Sequence, residues 1–148
     1  GIGGRTVEGA HGIPVVADCT VEDIDRDKLE MIVLPGGLGG VASIQGCPAA
    51  MDAIRQAHGD GKYVAAICAG PTVLAKLGIT EGRTVTSYPG TEGQMGACDY
   101  RDDRDVVVDG KLITSRGPGT AVAFGLALAR ILAGEGAAQE TAAGMLLR

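Results

Sequence analysis

The stretch Val64-Ala65-Ala66-Ile67-Cys68-Ala69-Gly70-Pro71-Thr72 decides the fold. Apolar, β-compatible residues run directly into a cysteine. Small residues follow, then a helical pattern carries Val73, Leu74 and Leu77 until Gly78 stops it. This predicts strand, tight turn and helix, with a thiol on the turn. The spacing of Ala66, Cys68 and Gly70 parallels the Gly-x-Ser-x-Gly nucleophile elbow, where small neighbours let backbone segments approach around a strained turn. Such a turn lifts its side chain to the end of a sheet. The following helix directs free N–H groups at the sulfur, which favours thiolate over thiol. The alternative is an inert core cysteine, a common fate of free thiols; the small flanking residues favour the reactive reading.

The same punctuation recurs on either side. Met31-Ile32-Val33-Leu34 is an apolar run ended by Pro35-Gly36-Gly37, as in strands buried on both faces of a parallel sheet. Val106 to Val108, Asp109-Gly110 and Leu112 to Ser115 predict a hairpin with Asp-Gly as its two-residue turn. Arg116-Gly117-Pro118-Gly119-Thr120 then leads into a long helix with Ala121, Gly125, Leu128 and Leu132 as its inner stripe. Gly134 ends that helix, and an Ala-rich one follows from about Glu135 to Leu147.

Elsewhere, residues 1–12 read as a Gly-rich loop and Ile13 to Ala17 as a short strand. Thr20 caps a helical turn from Val21 to Ile24. A short helix covers Val41 to Ile44, and Pro48 opens another that Gly59 closes. Thr84 to Ser87 is a strand. A polar loop over 89–105 follows, with one helical turn near Glu92 to Ala97. Strands alternating with helices predict one α/β domain over 1–148: a doubly wound, mostly parallel sheet with helices on both faces and one antiparallel hairpin. Ligands bind at the carboxyl ends of such strands, so the ends at Leu34, Ile67 and Ser115 should meet.

Composition excludes several functions. A net charge of −5 argues against a nucleic-acid or anionic membrane partner. One Phe, three Tyr and no Trp leave no stacking platform for single-stranded nucleic acid and require an aliphatic core. No apolar run approaches the length of a membrane span, so none is expected. The four cysteines, Cys19, Cys47, Cys68 and Cys98, contain no C-x-x-C pair, against a zinc ribbon or thioredoxin motif. Reduced thiols and a cytoplasmic location are expected.

A thiolate attacking a carbonyl needs donors for the developing oxyanion. The Ala69 N–H is one candidate, and the Gly36-Gly37 loop is the other, unless those glycines only make a tight turn. Gly37-Leu38-Gly39-Gly40-Val41-Ala42 also fits a dinucleotide fingerprint, but the next strand ends in Cys68 rather than an acid. A histidine partner is hard to find. His58 precedes a strand of about five residues, roughly 17 Å, and so sits at the opposite edge of the sheet from Cys68. His11 precedes the first strand with nothing local to fix it. Asp18 could reach the reactive edge or serve as a loop carboxylate. Glu81, Glu92, Asp99, Asp102, Asp103 and Asp105 read as solvated surface. Arg116 binds an anionic substrate or bridges an interface.

Three stretches, Ile32 to Gly37, Val64 to Thr72 and Leu112 to Thr120, closely resemble the ThiJ/PfpI superfamily in its Parkinsonism-associated deglycase branch. The resemblance implies a flavodoxin-like sandwich that forms a homodimer. Carried onto this chain, it makes Cys68 both nucleophile and oxidation-sensitive thiol, with the Gly37 and Ala69 backbone as anion hole. It implies cofactor-free hydration of small α-oxoaldehydes, or removal of early glycation adducts. The alternatives are a redox-sensing chaperone whose Cys68 oxidises to sulfinate, and an amidase or peptidase, which lacks a suitable histidine.

Two departures stand out. Tyr88 occupies the place that holds a histidine in some members; its hydroxyl donates a hydrogen bond or its ring walls the pocket. The family's N-terminal strand-helix-strand, which carries a glutamate beside the cysteine, has no counterpart before Gly1. Its loss is expected to leave a gap inside the sheet, which a separate N-terminal fragment, or a segment outside these residues, would complete.

Overall fold

A computed structural model describes residues 1–147. The chain opens with β1 (Thr6–Glu8) and β2 (Pro14–Val16), an antiparallel hairpin where a loop was expected over the first strand. Both strands are exposed and only three residues long, too short for an alternating pattern to register in the sequence. Thr20 then starts a single 3-10 turn over Val21–Asp23, its N–H and hydroxyl both donating to the Asp23 carboxylate. Those bonds hold the Asp23 carboxyl below the usual aspartate range.

The main sheet follows the apolar runs. It contains β3 (Met31–Leu34), β4 (Tyr63–Ile67), β7 (Val106–Asp109) and β8 (Leu112–Ser115), in the order β3-β4-β8-β7. The first three in that order are parallel and β7 closes one edge antiparallel, as expected for a mostly parallel sheet with one hairpin. Asp109 pairs with Leu112, so Gly110 and Lys111, rather than Asp109-Gly110, form the turn; Gly110 supplies the positive φ of 60°. No gap separates these four strands. The open place is the outer edge of β3, bordered by an apolar groove of about 330 Å³. Val33 faces outward from β3 at 46% exposure, so that strand is not buried on both faces.

Helices cover each face. On one side, α1 (Leu38–Gln45), α2 (Pro48–Gly59) and α3 (Pro71–Lys76) pack Ile54, Val73 and Leu74 against Leu34, Val64 and Ala66. Each such side chain, fully buried, contributes about 1.5–3 kcal/mol. On the other side lies α4 (Ala121–Gly144), broken at Gly134, where φ is 89°. Its buried face is Phe124, Leu128 and Ile131 against Ala65 and Ile113, one residue round from the expected stripe. Ala121, Gly125 and Leu132 are exposed, because the single Phe is the bulkiest side chain on the helix and takes the contact. Contrary to expectation, Pro118–Gly144 is long and apolar enough by composition to cross a membrane. The break at Gly134 nevertheless leaves two segments, each shorter than the ~20 residues a span needs.

The strand expected over Thr84 to Ser87 is reduced to β5 (Thr84–Val85). It pairs with β6 (Asp99–Tyr100), a strand within the segment expected as a polar loop, to form a separate two-stranded sheet. Two side chains of the hairpin divert its backbone donors. The Thr84 N–H donates to the Asp109 carboxylate at 2.8 Å and the Thr86 N–H to the Thr114 hydroxyl at 2.9 Å.

Candidate active site

Strand β4 ends at Ile67 and runs into Cys68, whose φ of 64° lies in the left-handed region. A non-glycine residue held there costs about 1–3 kcal/mol, and the surrounding bonds keep it in place. The Cys68 N–H donates to the Ser115 carbonyl at 3.0 Å, and the Cys68 carbonyl accepts the Tyr88 N–H at 2.9 Å. Beyond the turn, the Gly70 N–H returns to the Ile67 carbonyl at 2.9 Å, and the buried Thr72 hydroxyl donates to the Ala69 carbonyl at 2.7 Å. This is the strand-turn-helix elbow expected from the sequence. The helix after it, α3, has only six residues, so its dipole is a small one.

Register brings three strand ends together. Leu34 pairs with Ala66, and Ile67 with Ser115, so Pro35-Gly36-Gly37, Cys68 and Arg116 emerge at one edge. Gly36 touches the elbow: a Cβ there would stand 2.5 Å from the Cys68 Cβ and 2.9 Å from its Sγ. Gly70 is equally confined, between the carbonyls of Leu34, Pro35 and Ile67. Sequence alone offered Gly70 only as a small residue of the elbow, not as the contact that joins two strand ends. Gly37, at φ 84°, starts α1. Neither its N–H nor that of Ala69 donates to an acceptor among the described residues.

Comparison with known proteins identifies the family and the fold. The model of the DJ-1/PfpI family matches residues 1–131. The chain belongs to the DJ-1/PfpI family. Protein dj-1beta of Drosophila melanogaster is 43% identical over 146 residues, which span 98% of this chain and 78% of that protein. The crystal structure of Drosophila melanogaster DJ-1beta has a TM-score of 0.93 at 42% identity, over 98% of this chain and 78% of that one. The glutathione-independent glyoxalase DJR-1.2 of Caenorhabditis elegans is 35% identical, over 86% of this chain and 68% of that protein. The deglycase PfpI of Pyrococcus furiosus is 37% identical, over 80% of this chain and 71% of that protein.

Within this DJ-1/PfpI chain, the other expected site residues separate into two groups. Tyr88 and Arg116 lie at the elbow's margin. The Tyr88 ring rests on the buried Gly117, and its hydroxyl has no partner among the described residues. Arg116 is part-buried. His11 and Asp18 are exposed at either end of the β2 strand, and His58 is exposed at the end of α2, ahead of β4. Among the described residues no imidazole or carboxylate is bonded to the Cys68 sulfur, and no cluster of His, Cys, Asp or Glu could hold a metal. Glu92 is fixed to the Gly90 N–H, which lowers its carboxyl below the usual range, with a smaller contribution from Arg116.

Ser115 and Thr120, which are not among the site residues expected from the sequence, brace this margin. Their hydroxyls meet at 2.7 Å, and the Thr120 hydroxyl accepts the Gly117 N–H at 3.0 Å. The signal for them was present in the threonine three residues after Gly117, a spacing that lets a side chain close a turn.

Proposed function

We propose that the chain is a cofactor-free glyoxalase/deglycase that uses Cys68 on small α-oxoaldehydes or their early glycation adducts. The observation that carries this reading is the thiol on a positive-φ elbow where three strand ends converge. The names of the glyoxalase and deglycase relatives support it. Thiolate attack on an aldehyde carbon gives a hemithioacetal alkoxide, which the free N–H groups of Gly37 and Ala69 would hold. Transfer of the carbon-bound proton to the adjacent carbonyl carbon leaves a thioester, and water then releases the 2-hydroxy acid and the thiolate.

A base must take up that proton, and we propose that this base is a carboxylate on a further strand paired along the open edge of β3. Incubation with methylglyoxal, without glutathione or metal, is expected to yield lactate once that strand is supplied. No lactate from the protein with the strand present overturns the enzyme reading. Equal turnover by these 148 residues alone removes the need for the strand.

A second reading, a redox sensor, draws on the same partly exposed thiol. Oxidation to sulfinate would place an anion among the same donors. Mild peroxide followed by peptide mass mapping separates the two: selective oxidation of Cys68 with no aldehyde turnover favours the sensor.

We further propose a homodimer. The β1–β2 hairpin presents Ile13, Val15 and Val16 at more than 60% exposure each, a patch a second copy would cover. Sedimentation is expected to give twice the 14.9 kDa chain mass. A monomer at every concentration tested refutes it.

A further inference from the structure

A cavity of about 210 Å³ opens beside the elbow, between Tyr88, Asp105, Arg116 and the backbone of 117–120. That is below the ~300 Å³ at which pockets begin to hold drug-sized ligands, so it suits one small group. It is tied to the reactive residue at two points. Cys68 is bonded to Ser115, the neighbour of Arg116, and its carbonyl to the N–H of Tyr88. The walls are fixed. The Ser115 hydroxyl donates to the Asp105 carbonyl at 2.7 Å, and a Cβ on Gly117 would already stand 3.2 Å from the Tyr88 ring.

Arg116 is an unspent cation in this wall. Its Nε is buried with no hydrogen-bond partner, and among the described residues its guanidinium makes no ion pair. A buried donor without an acceptor is unfavourable, the more so when it belongs to a charged group. Nearby acceptors do not pair with it. Asp105 lines the cavity without pairing with Arg116, its carbonyl taking the Ser115 hydroxyl and the Arg116 backbone N–H. The Glu92 carboxylate is held by Gly90. A planar guanidinium with open donors matches the paired oxygens of a carboxylate or phosphate.

We propose that this cavity is an anion subsite, in which Arg116 receives a carboxylate or phosphate group of the ligand. Its use in choosing substrates rests on the reading of Cys68 as nucleophile: aldehydes that carry a second, anionic group would then be preferred over neutral ones. The binding itself does not depend on that reading.

NMR titration of the whole chain, with inorganic phosphate and separately with acetate, tests it. Saturable shifts are expected at Tyr88 and residues 116–120, including the Arg116 side-chain N–H groups. A response to phosphate alone assigns a phosphate ligand; a response to acetate assigns a carboxylate. Arg116→Gln is expected to weaken binding by about tenfold or more, as for loss of a charge-assisted bond. Asp105→Asn should strengthen it several-fold by removing a like charge to the ligand. It keeps Arg116 in place, and so tests the proposal even if Arg116→Gln fails to fold. No saturable shift with either anion, unchanged binding in Arg116→Gln, or no gain in Asp105→Asn overturns the subsite. Anion binding without aldehyde turnover rejects the reaction and leaves the subsite standing; turnover without anion binding does the reverse.

Discussion

In the protein with the further strand supplied, replacing Cys68 with serine is expected to abolish lactate formation from methylglyoxal while leaving the fold intact. Oxygen for sulfur is nearly isosteric, and the backbone bonds to Ser115 and Tyr88 do not involve the side chain. The chemistry changes far more than the shape. A serine hydroxyl is a weak nucleophile unless an adjacent base removes its proton. No imidazole or carboxylate is bonded at this position among the described residues. The oxyanion donors and the walls of the site would remain, but they cannot create the attacking anion. A fall of at least ~10³-fold in kcat/KM follows, equivalent to about 4 kcal/mol of lost transition-state stabilisation. Steady-state assays beside thermal melts check it. A variant that melts as the parent does and keeps its turnover eliminates Cys68 as nucleophile.

Gly36→Ala is expected to damage both stability and activity. The new methyl would enter within 2.5 Å of the Cys68 Cβ, 2.9 Å of its Sγ and 3.0 Å of the Ile67 carbonyl oxygen. None of these can retreat cheaply. The cysteine backbone is pinned on both sides, and Ile67 is in register with Ser115. The loop after β3 must therefore withdraw, or the elbow must rotate. Overpacking of this kind costs about 1–3 kcal/mol. A displacement near 1 Å at the nucleophile lowers turnover by about 10²-fold. Gly39→Ala supplies the control, since its Cβ meets nothing within 4 Å and it lies in α1. Helix propensity makes that change neutral or stabilising, by up to ~1 kcal/mol. Denaturant titration of the two variants decides the matter. Equal stabilities would mean that the Gly36 contact is not a constraint.

Much of this site was legible because it is written locally. Cys68, its small neighbours and the Pro-Gly-Gly after Leu34 are consecutive residues whose backbone needs follow from their own chemistry. Other features were not legible, each for a definite reason. Strands β1 and β6, of three and two residues, are too short for periodicity to show. The inner face of α4 is not legible in the sequence because apolar residues lie all round that helix, and only contact with Ala65 and Ile113 selects Phe124. Val33 belongs to an unbroken apolar run, yet nothing in that run tells which of its faces a helix will cover.

The sequence by itself determined the order of the four main-sheet strands and the helices between them, the elbow and its thiol, and the membership that those motifs carry. Short-range preferences decide such things: apolar runs make strands, and glycine punctuates them. Only the tertiary structure decided what surrounds the thiol. Gly36 against Cys68, the Tyr88 N–H on the Cys68 carbonyl, and Arg116 with an unpaired Nε all join residues from separate strands or loops. Those contacts follow from sheet register and loop closure. One residue of slip would exchange the faces of a strand, so they depend on packing throughout the chain and are not encoded in any one segment of it.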